Sequence, residues 1–276
     1  MTHLNLTSYE GVERLEQFSE ETFASYCRAK LASCDKHVSF VRNHCMKSVG
    51  PLRICEVGSG SGKLLYRLER EGLLESGIGY EVSSSRCLFA KEFGRFCQSQ
   101  NVTTLNENFL GASLPENSFD LIIGVDVVLN LIGAISPETT EFFLDKSMRA
   151  LRAGGSLVLE VMTCARELEF VLKSPDGHYR TWKRFPDSDP FSIGLDQMSL
   201  TQDGNLLWEK SFIARTGGEG SPFVNELKPF DLDFFARYSL TKNFVVDFFP
   251  HWAELDDTAD QEFVVLITKG VAEKSP

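Results

Sequence analysis

RICEVGSGSGKL, residues Arg53 to Leu64, decides how this chain of 276 residues is read. A short apolar run ends in Glu56, Gly58, Gly60 and Gly62 follow at alternate positions, and a helix-like pattern begins at Lys63. Strand, glycine turn and helix together leave backbone N–H groups free at the helix start and let a ligand approach the main chain closely. A nucleotide-hydrolysing loop needs four residues between its glycines and a Ser or Thr after the lysine. Here three residues separate Gly58 from Gly62, and Leu64 follows Lys63. A dinucleotide loop reads GxGxxG and disfavours a carboxylate beside the pyrophosphate. This loop reads GxGxG with Glu56 at its mouth, which suits a ligand that carries a cation there and no phosphate.

The flanking sequence extends the pattern. After the loop, "KLLYRLEREG", "IGYEVS", "SRCLFAKEFGRFCQS", "VTTLNE" and "FDLIIGVD" alternate helix and strand character. A helix opened by Ser136 and Pro137 and closing at Gly154-Gly155 follows, then the strand "SLVLEVM". Such alternation predicts a parallel sheet flanked by helices. Residues 1–50 read as a helical cap ended by Gly50-Pro51, and 51–163 as the ligand-binding core. Residues 164–230 break the rhythm with Pro175, Pro186, Pro190 and Pro222, the cluster "HYRTWKRF", and a hairpin turning at Asp203-Gly204. We read this stretch as an antiparallel β insertion. Residues 231–276 supply a helix in "DLDFFARYSL" and two strands, "NFVVDFF" and "EFVVLITKG", that complete the core.

Composition narrows the function. With 39 acidic against 28 basic side chains and a net charge of -11, the chain lacks the basic character of a nucleic-acid binder. Its seven cysteines are odd in number and without framework spacing, and its first residues contain no basic and apolar leader, which together read as a reducing cytoplasm. The longest apolar stretch, "LIIGVDVVLNLIGAI", carries Asp126 and falls short of the roughly 20 residues a membrane span needs. Cys34, His37, His44 and Cys45 invite a zinc reading. Helical spacing sends Cys45 away from the other three, so we expect a helical wall over the ligand and no metal.

From Arg53 to about Met162 the sequence resembles the class I S-adenosylmethionine-dependent methyltransferases. "EVGSGSG" is similar to their first motif, and Glu81 ends the next strand where their acidic residue grips the ribose hydroxyls. "ENFLGASLPENSFDLIIGVDVV" resembles the adenine-side segment with the fourth strand, and "RALRAGGSLVLE" the glycine turn into the fifth. The resemblance implies an α/β, Rossmann-like, seven-stranded, mostly parallel sheet, with S-adenosylmethionine as cofactor and S-adenosylhomocysteine as product. It also implies cofactor contacts at Glu56, Gly58, Ser59, Gly60, Gly62, Glu81, Val82, Asn108, Phe109, Asp126 and Val127. Asn108 stands where the family usually has an aspartate facing the adenine amine, and its amide oxygen can accept that bond. Leu129-Asn130 replace the acidic residue and histidine of many members, so that pair's role does not carry over.

The acceptor side rests on the insertion. Aromatic walls with a few aimed polar groups make small-molecule pockets. This picks out Tyr179, Trp182, Arg184 and Trp208 as substrate contacts, with Asn130 beside the core, and His178 as a candidate general base ahead of Tyr179 and His251. The expected function is methyl transfer to an oxygen or nitrogen of a small molecule, by a monomer or homodimer. The alternative is a non-catalytic regulatory module that binds S-adenosylmethionine or S-adenosylhomocysteine.

Overall fold

The computed structural model describes residues 13–46, 50–125, 137–162, 164–187, 189–215, 223–227, 232–250, 252 and 262–270. A short 3-10 turn, Leu15–Gln17, precedes α1 (Glu20–Ala32) and α2 (Asp35–Phe40), and a π-helical turn, Val41–Cys45, extends the latter. The core follows as β1 (Leu52–Val57), α3 (Lys63–Arg70), β2 (Leu74–Glu81), α4 (Ser84–Cys97), β3 (Val102–Asn106), β4 (Phe119–Gly124), α5 (Pro137–Ala150) and β5 (Leu151–Met162). Then come α6 (Ala165–Lys173), β6 (His178–Arg184), β7 (Phe191–Leu200), β8 (Leu206–Ala214) and β9 (Phe223–Leu227). The chain returns to the core through α7 (Asp233–Lys242), β10 (Val245–Phe249) and β11 (Glu262–Thr268).

The expected seven-stranded sheet is present, in the order β10-β11-β5-β4-β1-β2-β3. β1 to β5 pair in parallel, and β11 and β10 add antiparallel at one edge. The central strands are buried on both faces, as parallel sheets require. Cys55, Val57, Ile122, Leu157 and Leu159 face α5 and α7 through Phe143, Leu144, Met148 and Phe235. The alternate residues Ile54, Leu121, Ile123 and Val158 face α3 through Leu64, Leu65 and Leu68. β1 lies between β2 and β4, so the connection after it leaves to one side and the later strands return on the other. At such a switch point a crevice opens beyond the carboxyl ends of the strands.

Two differences from the sequence reading concern local structure. The helix before the double glycine ends at Ala150, and β5 starts at once and runs through Gly154-Gly155. There the register against β4 jumps, with Phe119 opposite Leu151 and Leu121 opposite Ser156, and Gly154 takes φ 77°. The glycines form a bulge within a strand rather than a turn before one. The insertion is a four-stranded antiparallel sheet, β6-β7-β8-β9, preceded by α6 and including β9, neither of which the sequence pattern announced.

The N-terminal cap is tied down by aromatic contact. Ser19 caps α1 by accepting the Thr22 N–H, and Phe18 and Tyr26 pack on Phe89 of α4 at ring distances of 5.4 and 5.7 Å. The histidines of the zinc-like cluster lie among aromatic rings, His37 4.6 Å from Trp252 and His44 4.6 Å from Phe249. Among the described residues no group of three or more His, Cys, Asp or Glu is disposed to hold a metal ion. All seven cysteines are free, and no described helix is long and apolar enough to cross a membrane.

Candidate cofactor site

The glycine loop follows directly on the carboxyl end of β1. Gly58, Gly60 and Gly62 have φ of 64°, 55° and 72°, the left-handed region that an L side chain rarely enters. The Ser59 N–H bonds back to the Tyr80 carbonyl at 3.0 Å, and the Gly62 N–H to the Ser59 carbonyl at 2.8 Å, so the loop is held to β2 while α3 begins at Lys63.

Glu56 is buried, 5% exposed, on the penultimate position of β1. The Leu65 N–H and the Lys63 charge face its carboxyl, yet burial dominates and pushes its pKa up to about 8. Its Oε2 has no hydrogen-bond partner. Such an oxygen costs free energy unless something fills the vacancy, so this site is an acceptor aimed at a donor the chain does not provide. The Ser59 hydroxyl beside β2 is likewise buried without a partner.

Glu81, at the end of β2, has both oxygens engaged by backbone. Oε2 accepts the Gly60 N–H and Oε1 the Ser83 N–H, each at 2.8 Å. Each carboxylate oxygen accepts two bonds, so one acceptor position per oxygen is left for a ligand. Asn106, at the end of β3, donates its side-chain amide to the Glu81 and Val82 carbonyls at 3.1 and 2.9 Å and fixes that strand end.

Four residues that the sequence did not single out, Arg86, Glu13, Tyr26 and Lys30, adjoin this corner. Arg86 Nη1 lies 3.6 Å from Glu81 Oε2, and Arg86 Nε donates to Glu13 Oε2 at 3.1 Å. Glu13 is 2% exposed, takes the Tyr26 hydroxyl at 2.9 Å and has Lys30 Nζ at 3.6 Å. Burial alone would raise its pKa; the Lys30 and Arg86 charges and the Tyr26 and Arg86 hydrogen bonds bring it down to about 2. Asp189, from the turn between β6 and β7, acts electrostatically on the same Lys30 and Glu13.

The remaining candidates divide. Asn108 forms a turn of its own, its Oδ1 accepting the Leu110 N–H at 2.9 Å. Phe109 is 2% exposed and wedged between Tyr80 and Phe143 in the core. Val82 follows Glu81 at the strand end, half-buried. Asp126, Val127, Asn130 and His251 lie outside the described residues.

The insertion's aromatic candidates do not share one face. Tyr179 pairs with Met198 and Met198 with Trp208, so these three lie on the face covered by α6, where Tyr179 stacks on Phe170 at 4.9 Å. His178, Trp182 and Arg184 alternate with Tyr179 and occupy the other face, Trp182 standing opposite Leu195 and 67% exposed. Side chains on a strand alternate faces, so the five residues cannot wall a single pocket on one side of this sheet.

Comparison with known proteins follows the geometry. Residues 55–159 match the model of the methyltransferase domain family. No curated protein matches the chain in sequence. Among solved structures, a S-adenosylmethionine-dependent methyltransferase from Clostridium acetobutylicum superposes with a TM-score of 0.66 at 16% identity, over 89% of this chain and 97% of that one. The sugar N-methyltransferase KedS8 from a Streptoalloteichus species gives 0.62 at 12% identity, over 86% and 87%. S-adenosylmethionine-bound CalS10 from Micromonospora echinaspora, an amino pentose methyltransferase of calicheamicin biosynthesis, gives 0.60 at 14% identity, over 91% and 97%. At such identities the likeness of structure is one of fold.

Proposed function

Because residues 55–159 match the methyltransferase domain family and the chain shares its fold with a S-adenosylmethionine-dependent methyltransferase, we propose that it is an S-adenosylmethionine-dependent methyltransferase whose acceptor is an oxygen or nitrogen atom of a small molecule. The site assignment rests chiefly on the unpartnered Glu56 oxygen. It lies buried at the mouth of a loop with three left-handed glycines, and Glu81 ends the neighbouring strand. A buried acceptor of that kind suits the cofactor's ammonium, and the two free acceptor positions of Glu81 suit paired ribose hydroxyls.

Bound there, S-adenosylmethionine supplies a methyl group on a sulfonium that departs as a neutral thioether. The chain's task is then to hold acceptor and methyl in line and keep water out. Glu56 orients the ammonium end, Glu81 the ribose, and the glycines keep the main chain close to both. The acceptor pocket, in this reading, is enclosed by the N-terminal cap 1–50 and the insertion 164–230 around the core 51–163 and 231–276. That the fold neighbours include proteins described as sugar N- and amino pentose methyltransferases supports a small acceptor. His178 is the proposed base where the acceptor arrives protonated.

The test is a panel of amino sugars, phenols and small amines incubated with purified protein and methyl-labelled cofactor, read by mass spectrometry. A gain of one methyl on a panel member supports the reading. Binding of the cofactor with no methylated product from the panel or from a small-molecule extract would favour the regulatory module instead.

A further inference from the structure

The space above Gly60 is occupied. A Cβ added there would stand 2.7 Å from Arg86 Cζ, so the guanidinium covers the loop glycine while Nη1 lies 3.6 Å from Glu81. The same guanidinium is held from behind by Glu13, whose second oxygen is engaged by Tyr26 and approached by Lys30 of α1. Glu13 and Glu81 are both buried and carry opposite charge to Arg86 and Lys30, which balances the cluster. Arg86 and Glu13 are 73 positions apart, so only the fold brings them together. The chain of contacts thus runs from the N-terminal cap through one arginine to the carboxylate and the glycine that face the cofactor.

We propose that Arg86 is a positioning residue for the cofactor: pinned by Glu13, it sets Glu81 and Gly60 in the arrangement that takes the ribose, and so couples the order of the N-terminal cap to cofactor occupancy. The proposal rests on the reading that Glu81 receives the ribose hydroxyls. Charged hydrogen bonds in a buried site are directional, and a carboxylate facing a fixed guanidinium loses the freedom to rotate away from its ligand. Conversely, a ligand drawn onto Glu81 stabilises the arrangement that includes Arg86 and Glu13, and the cap gains by linkage what the ligand gains from the cap.

The experiment is calorimetric titration of the full chain with S-adenosylhomocysteine. The wild-type protein must bind; failure at that step refutes the cofactor-site reading rather than the role of Arg86. Arg86→Ala is expected to weaken binding at least about tenfold, and Arg86→Lys to recover part of that loss. Because Arg86 acts through Glu81, removing it in a Glu81→Gln background should cost less than about threefold, and fully additive losses would overturn the proposal. Hydrogen exchange reads the coupling. The ligand should slow exchange across 20–32 in the wild type and lose that effect in Glu13→Gln. Should Arg86→Ala fail to fold, Arg86→Lys and Glu13→Gln carry the test, each expected to weaken binding by about threefold or more. Unchanged affinity in folded variants, or a cap indifferent to ligand in the wild type, overturns the proposal.

Discussion

Gly60 donates its backbone N–H to Glu81 Oε2 at 2.8 Å, which makes the glycine loop and the end of β2 a single unit. The contact joins the third and second positions of a spatial triad whose first member is Glu56, and all three sit at the carboxyl ends of adjacent parallel strands. The carboxylate orders the loop before any ligand arrives, so disturbing either partner is felt by both.

Replacing Glu81 with alanine removes the acceptor of two backbone N–H groups as well as the proposed ribose contact. Hydrogen bonds to a charged acceptor contribute about 1.5–3 kcal/mol each, so affinity for S-adenosylhomocysteine should fall more than about tenfold. Titration calorimetry measures it. Equal affinity in the variant would show that the ribose lies elsewhere.

The pH dependence of binding should be that of Glu56. Burial raises its folded-state pKa to about 8, above its value in an unfolded chain, so near neutrality the empty site holds a proton. Taking up a cation at Oε2 expels that proton. Cofactor affinity should therefore rise with pH up to about 8 and then level off. The stability of the ligand-free protein has the opposite sign: this group's contribution is fully present below the unfolded pKa and is lost as pH climbs through about 8. Calorimetry at pH 7 in buffers of different ionisation enthalpy should register proton release on binding, and Glu56→Gln should abolish that part of the release.

Gly60→Val forces a β-branched side chain to φ 55° and into the place of Arg86. Left-handed backbone costs an L residue roughly 1–2 kcal/mol, so the melting temperature of the ligand-free protein should drop by a few degrees while cofactor binding is lost. A variant that binds like the wild type would remove the loop from the cofactor's contact surface.

The two tryptophans of the insertion should behave differently because they lie on opposite faces of its sheet. Trp208 donates its indole N–H to Asp196 at 2.8 Å and packs with Met198 and Leu206, so Trp208→Ala should destabilise by about 1–3 kcal/mol. Trp182, 67% exposed, should cost less than about 0.5 kcal/mol on truncation. If its face walls the acceptor, Trp182→Ala raises the acceptor KM at unchanged cofactor affinity. Thermal melts and steady-state kinetics separate the two, and an unchanged KM would move the acceptor to the α6 side.

The parts of the site that the sequence displays are those whose partners are local. Glu56, the glycines and Glu81 each sit at a strand end, where an apolar run stops, and a stop is visible in one dimension. Arg86 was not, because its meaning comes from Glu13 and Gly60, which only folding brings near. The double glycine was misread for a related reason: Gly154-Gly155 looks like punctuation between elements, whereas the register jump against β4 makes it a bulge inside one. The insertion carries a different lesson. Period-two alternation already separates Tyr179 from His178, Trp182 and Arg184, but crowding along the chain suggested that they share a pocket. Composition groups neighbours in sequence; a strand divides them.

β5 takes β4 as one neighbour and β11 as the other, and the second arrives late: 99 residues lie between Met162 and Glu262. As the chain leaves the ribosome, β1 to β5 can pair in turn, but the backbone edge of β5 that β11 will take has no strand to meet. The insertion emerges in the interval and has a sheet of its own to form. Through that interval the nascent protein carries an unpaired strand edge, which makes truncated products aggregation-prone. The arrangement that lets a cap be spliced into a finished cofactor fold is also what delays its completion.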